Sequence, residues 1–365
     1  MSSSNNKPGI WKQIQPHLQL SDHKRPLGFL LTVSLAIGGP VTLGVLLGHF
    51  SMGVVASIGG LACVYLRQTP LTHRMLTMAL VTFGFCTSFT ISLLAAFNPW
   101  VMAFSLGIVA FWATFICRYF LVPPPGSFFF ILVACIASAM PFSTALLAER
   151  AGLLLFGCIG ACTLALVYSL IQILRGQSIV SDPVEVTEPR LIAIFLESIT
   201  IASFIAASYL LALWLGFDRP YWAPISCAAI LQGVSFRAIQ HRNIHRIVGT
   251  AIGMGLTWII FSLDPSLWTL ALLIFLLSLI IEILVTRNYG FAVIFITPLT
   301  IILAEAQSAS LDINGIVLLR MTNVILGSFV GYLGGWLLNK EDLYCRLEQR
   351  LLSVRDSILK RQQHR

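Results

Sequence analysis

Apolar runs long enough to cross a bilayer follow one another along this chain, separated by short polar or Pro/Gly breaks. The pattern predicts helices near 27–47, 52–66, 76–95, 99–119, 126–142 and 151–174. A second set follows near 191–215, 220–234, 245–262, 266–286, 289–304 and 319–338. Segments 52–66 and 220–234 are short for a crossing of about 20 residues, so they are expected to tilt, to re-enter, or to extend at their ends. The fold class expected is all-α, a polytopic transmembrane helical bundle of about twelve spans.

The two sets read as copies, with matching features about 164 to 172 positions apart. Thr72-His73-Arg74 opens the third helix and Ile244-His245-Arg246 the ninth. Asn98-Pro99 and Asp264-Pro265 break the chain at the next turn. Pro125-Gly126 and Tyr289-Gly290 start the fifth and eleventh helices, and Arg150 with Gly157 answers Arg320 with Gly327. Six spans per copy is an even number, so both copies enter from the same side, which predicts two parallel six-helix repeats about an axis along the membrane normal. The expected boundaries are a cytoplasmic N-terminal tail at 1–26, a first repeat at 27–174 and a linker at 175–190. A second repeat follows at 191–338 and a basic amphipathic helix at 339–365, where Leu343, Leu347, Leu351, Val354 and Ile358 recur at helical spacing among Lys and Arg.

Composition removes water as the main solvent: 57% of residues are hydrophobic and 10% charged, against roughly 25% charged in soluble domains. Mean hydropathy is +0.86. The net charge of +8 is spread through short loops and not gathered in one patch, which argues against nucleic acid as a partner. With both termini cytoplasmic, all of the 23 Lys and Arg residues except Arg150, Arg219 and Arg320 fall on the inside. Lys24-Arg25 ahead of the first apolar run marks that helix as an uncleaved insertion signal. The eight cysteines form no Cys-x-x-Cys pair and read as apolar packing residues.

Catalytic motifs are missing. The sequence holds no Walker loop, dinucleotide fingerprint, Gly-x-Ser-x-Gly or His-Glu-x-x-His, so neither an enzyme nor a cofactor or metal site is expected. Ionisable residues inside spans are costly and default to functional candidates. Glu197 and Glu282 qualify, and the repeat register places Glu282 opposite Arg118, which predicts an Arg118–Glu282 pair that opens when an anion binds the guanidinium and a proton neutralises the carboxylate. Gly38-Gly39-Pro40 and Thr297-Pro298 are expected to break helices at depth, and Pro224 to free backbone groups early in the eighth helix. Tyr221 and Trp222 are placed at the outer interface, as belt anchors or as a stacking platform. On the inner side Arg237, Arg242 and Arg246, with His241 and His245, form a cationic cluster that serves topology or gathers anions. Gly249 with Gly253, and Gly327, Gly331 and Gly335, have the spacing that lets helices approach closely.

Tyr221-Trp222, Gln232, Arg237-Ala238 and Arg246-Ile247-Val248-Gly249-Thr250-Ala251-Ile252-Gly253 together resemble the hallmark of the fusaric acid resistance and aromatic acid exporter superfamily, with Gly233 where a proline usually follows the Gln. The resemblance implies an exporter of small organic acids, often aromatic carboxylates, in a bacterial inner membrane and driven by the proton gradient. Substrate and proton path candidates are then Arg118, Glu197, Glu282, Tyr221, Trp222, Gln232, Arg237, Arg242, His245 and Arg246. An anion channel similar to plant malate channels and a non-transporting subunit of an envelope assembly stay open as alternatives. Expected partners are the lipid bilayer and small organic anions, with a homo-oligomer or an accessory envelope protein also open.

Overall fold

The computed structural model describes residues 21–22, 24–176, 190–305 and 313–340. Most of the N-terminal tail, most of the linker and the basic amphipathic helix lie outside the described residues. Twelve α-helices are present among those described: α1 Leu27–Leu46, α2 Phe50–Gly60, α3 Leu71–Ala95, α4 Pro99–Tyr119, α5 Phe128–Ser138, α6 Thr144–Leu174, α7 Leu191–Trp214, α8 Trp222–Leu231, α9 Phe236–Ser262, α10 Leu267–Leu284, α11 Tyr289–Glu305 and α12 Ile313–Leu338. A 3-10 turn, Leu61–Tyr65, continues α2.

Eight of the twelve are long and apolar enough to cross a membrane. The other four, α2, α5, α8 and α11, hold 11, 11, 10 and 17 residues. A helix of 11 residues is about 16 Å long, roughly half of a bilayer's hydrocarbon core. The expected span at 126–142 therefore shrinks to Phe128–Ser138, ended by a turn near Met140 and Pro141. Exposed large apolar side chains occur on every long helix and, among the described residues, on none of the four short ones. In α8 all ten residues are buried. The eight long helices thus carry the large exposed apolar surface, while the four short ones are more enclosed, α8 completely, the setting in which helix ends at membrane depth can be satisfied.

Helix ends follow from local chemistry. Asn98 caps α4 by accepting from the Trp100 and Val101 amides at 2.8 and 3.4 Å, with Pro99 in the first position, where no amide is needed. Ser143 and Ser235 cap α6 and α9. These caps lie well upstream of the expected starts at 151 and 245, because charged residues such as Arg150 and Arg242 continue a helix that a hydropathy window ends. α1 and α7 end alike: Gly48 and Gly216 both take φ +73, open to glycine without steric cost, and the His49 and Phe217 amides reach back to the Gly44 and Ala212 carbonyls.

α1 and α11 continue as helices through Pro40 and Pro298, so the expected interruption is confined to the ladder bond at each proline. Each proline removes one ladder bond and leaves one carbonyl without an intrahelical partner, that of Ala36 and that of Ile294. A glycine of a neighbouring helix fills the space against each. A Cβ on Gly60 of α2 would stand 2.1 Å from the Ala36 oxygen, and one on Gly253 of α9 would stand 2.6 Å from the Ile294 oxygen. Pro224 sits in the first turn of α8, where its missing amide costs nothing.

Two apolar cores form, and each draws on both halves of the chain. One joins α1, α2, α3 and α6 with α10, and the other joins α4 and α5 with α7 and α8. The seven described cysteines are all free, and five are buried.

Candidate functional site

Two ion pairs close the seams where α10 meets α1 and α4 meets α7. Arg118, in the last turn of α4, donates to Glu197 of α7 at 2.5 Å. Glu282, near the end of α10, pairs with Arg25 just ahead of α1. All four groups lie at one end of the bundle, since α4 and α10 finish there while α1 and α7 begin. This corrects the expected Arg118–Glu282 contact: α4 and α10 each pack on another helix, so each charge finds its partner across its own seam. The pairs differ in environment. Glu282 is 5% exposed, whereas the Arg118–Glu197 pair is open to solvent. An exposed pair contributes about 0–1 kcal/mol. Glu197→Gln is accordingly expected to shift thermal unfolding of the purified protein by less than about 1 kcal/mol.

The basic stretch on α9 divides along the helix. Arg237 is exposed, and Arg242 donates to the Ala229 carbonyl at 3.0 Å, so it caps the C-terminal end of α8 while lying over the Tyr289 ring at 4.7 Å. His241 and His245 stand edge to face at 6.3 Å, with His245 against Gly290. His245 and Arg246 are the tenth and eleventh residues of α9 and do not open it, so the match with Thr72-His73-Arg74, which does open α3, dissolves. Arg74 instead donates to Ser169 and Gln172 near the C-terminal end of α6. Gln232 caps α8, with its oxygen 3.8 Å from where a Cβ on Gly126 would stand.

Arg246 is 3% exposed and turns from the other basic residues toward α8, donating to the Ser226 hydroxyl at 3.3 Å. One turn earlier on α8 lies Trp222, and over its ring, 3.2 Å from the centroid, sits the guanidinium of Arg320 from α12. Arg320 also donates to Thr300 of α11 at 2.9 Å and is 2% exposed. Arg246 and Arg320 thus reach α8 one turn apart, on Ser226 and on Trp222. Sequence reasoning placed Arg320 on the outer side, but it lies inside α12. Tyr221 and Trp222 are likewise buried, their rings 4.8 Å apart, and form no interfacial belt. The signal that could have found Arg320 is its charge within an apolar run.

Close packing holds this region. An added Cβ would stand 2.8 Å from the Gly290 oxygen at Gly249, 2.1 Å from the Ala223 oxygen at Gly327, and 2.9 Å from the Cys227 oxygen at Gly331; at Gly335 it would meet the Ile239 side chain at 2.6 Å. In the first half, a Cβ on Gly157 of α6 would stand 1.7 Å from the Ala56 oxygen of α2.

Lipid-facing helices around a buried layer, with ionisable groups held inside, define a multi-pass helical membrane protein. Residues 205–334 match the family described as fusaric acid resistance protein-like. The chain is 22% identical over 448 aligned positions to the uncharacterized membrane protein YvaC of Bacillus subtilis (strain 168), an alignment that covers 83% of this chain and 71% of the relative. No solved structure matches.

Proposed function

We propose that this chain is an exporter of small organic acids, aromatic carboxylates among them, in a bacterial inner membrane, driven by the proton gradient and with both termini in the cytoplasm. The observation that carries the reading is Glu282, a buried carboxylate held by a single guanidinium at a seam between helices. A proton arriving there removes the attraction and loosens this end of the α1–α10 seam, whose apolar contacts remain. Arg118 and Glu197 guard the other seam in the same way, more loosely. The family match over residues 205–334 supports transport.

The bundle consists of two parallel six-helix repeats. Supporting this, the same pairs meet in each half: α1 with α2 and α7 with α8, α2 with α6 and α8 with α12, α3 with α5 and α9 with α11. The seams are related likewise, with α4 on α7 answering α10 on α1, and their ion pairs carry exchanged signs. Rocking of one repeat against the other would open both seams together.

The test is flux in proteoliposomes. Purified protein is expected to move benzoate along an imposed pH gradient, and a protonophore is expected to abolish that movement. Steady current without a proton gradient would instead identify an anion channel. No flux, together with stably co-purifying proteins, would identify a subunit of an envelope assembly.

A further inference from the structure

We infer that Arg246 and Arg320 form a buried site for the carboxylate of a small organic acid, between α8, α9, α11 and α12. This deepens the exporter reading and rests on it. Two like charges have been brought together away from water, a costly arrangement unless an anion joins them. Among the residues whose side chains are described, the two ion pairs use Arg25 and Arg118 and neither Arg246 nor Arg320. The hydrogen-bonding capacity is also unspent: Nε and Nη1 of Arg320 and Nε of Arg246 are buried without partners. Their other contacts fix the two side chains. Ser226 and Thr300 hold one nitrogen of each, and the Trp222 face supports the Arg320 plane. Since Trp222 and Ser226 lie one turn apart on α8, the guanidinium groups are staggered by about 6 Å along it, a gap that one carboxylate with two oxygens and about four lone-pair directions can bridge.

Comparison of the two halves isolates the site. In the register that equates Gly157 with Gly327, Arg150 takes the place of Arg320, yet Arg150 donates to the Pro141 carbonyl at an exposed end of α6. Arg246 lies about 15 Å along α9 and Arg320 about 10 Å along α12, so both stand at depth, where binding sites of repeat transporters form.

The experiment is titration of benzoate into the purified full-length chain in lipid nanodiscs, at constant ionic strength and without a pH gradient, with thermal unfolding measured in parallel. Saturable binding is expected for the unmodified chain. Arg320→Gln is expected to weaken it at least about tenfold, a change of about 1.4 kcal/mol, and Arg320→Lys to weaken it similarly because the planar donor fork is lost. Arg150→Gln should bind as the unmodified chain does. The unliganded Arg320→Gln protein is expected to unfold at the same or a higher temperature, because an unpaired buried charge has been removed, and to lose the stabilisation by benzoate. Should the Gln variant not fold, the Lys variant decides. Unchanged affinity in the variants, no binding by the unmodified chain, or equal binding of chloride would overturn the site. Binding is read without a gradient, so its loss leaves the role of Glu282 standing, and failed coupling with binding intact leaves this site standing.

Discussion

Glu282→Gln abolishes proton-driven efflux in the expected experiment, lowering it at least about tenfold, while the protein is made and folds as before. Glutamine keeps the shape of the side chain and removes its titration, so the α10–α1 seam stays permanently in the proton-bound condition. Arg25, 22% exposed, is then released toward water and leaves no unpaired charge in the interior. Coupled movement needs the seam to alternate between paired and unpaired forms, whereas exchange of substrate for substrate does not. Counterflow of labelled benzoate is therefore expected to survive in the variant, and accumulation driven by a pH gradient to vanish. Accumulation at the unmodified rate would remove Glu282 from the mechanism.

Gly157→Ala is expected to have the second large effect, this time on assembly. The added carbon would stand 1.7 Å from the backbone oxygen of Ala56, and neither helix can yield by moving a side chain. Overpacking of ordinary cores costs about 1–3 kcal/mol, and a clash with rigid backbone belongs at or above the upper end of that range. Gly160, one turn further along α6, has nothing within 4 Å of its notional Cβ, so Gly160→Ala should be neutral or stabilise by about 0.5–1 kcal/mol through helix propensity. Thermal unfolding in mild detergent compares the pair. A Gly157→Ala protein as stable as the unmodified one would show that α6 does not lie on α2 in this way.

The number and order of helices were legible because apolar runs and Pro/Gly breaks alternate so regularly. Their starts were less so. Hydropathy stops at Arg242 or Arg150, while the helix itself runs on to Ser235 or Ser143, since a charged side chain interrupts lipid contact without interrupting backbone hydrogen bonding. The same displacement hid the arginine pair. With α9 started at 245, Arg246 read as an inner-surface residue, and with α12 started at 319, Arg320 read as an outer one. Once both helices extend, the two charges sit at depth beside α8. Glu197 and Glu282 stood out as ionisable residues in apolar segments and Arg118 through the repeat register, but their partners depend on which helices adjoin. Periodicity in one chain carries no information on that.

The four short helices have a consequence for how the protein is built. A segment of ten or eleven residues is too brief to be retained in the bilayer by its own hydrophobicity, so α2, α5 and α8 must be held by neighbours during synthesis. For α8 the main neighbour is α12, whose residues emerge from the ribosome some ninety positions later. Until then the face of α8 that packs on α12, at Ala223 and Cys227, has no permanent cover. Biogenesis of the second half is therefore a late, concerted event, in which arrival of the last helix captures a segment that had entered the membrane provisionally.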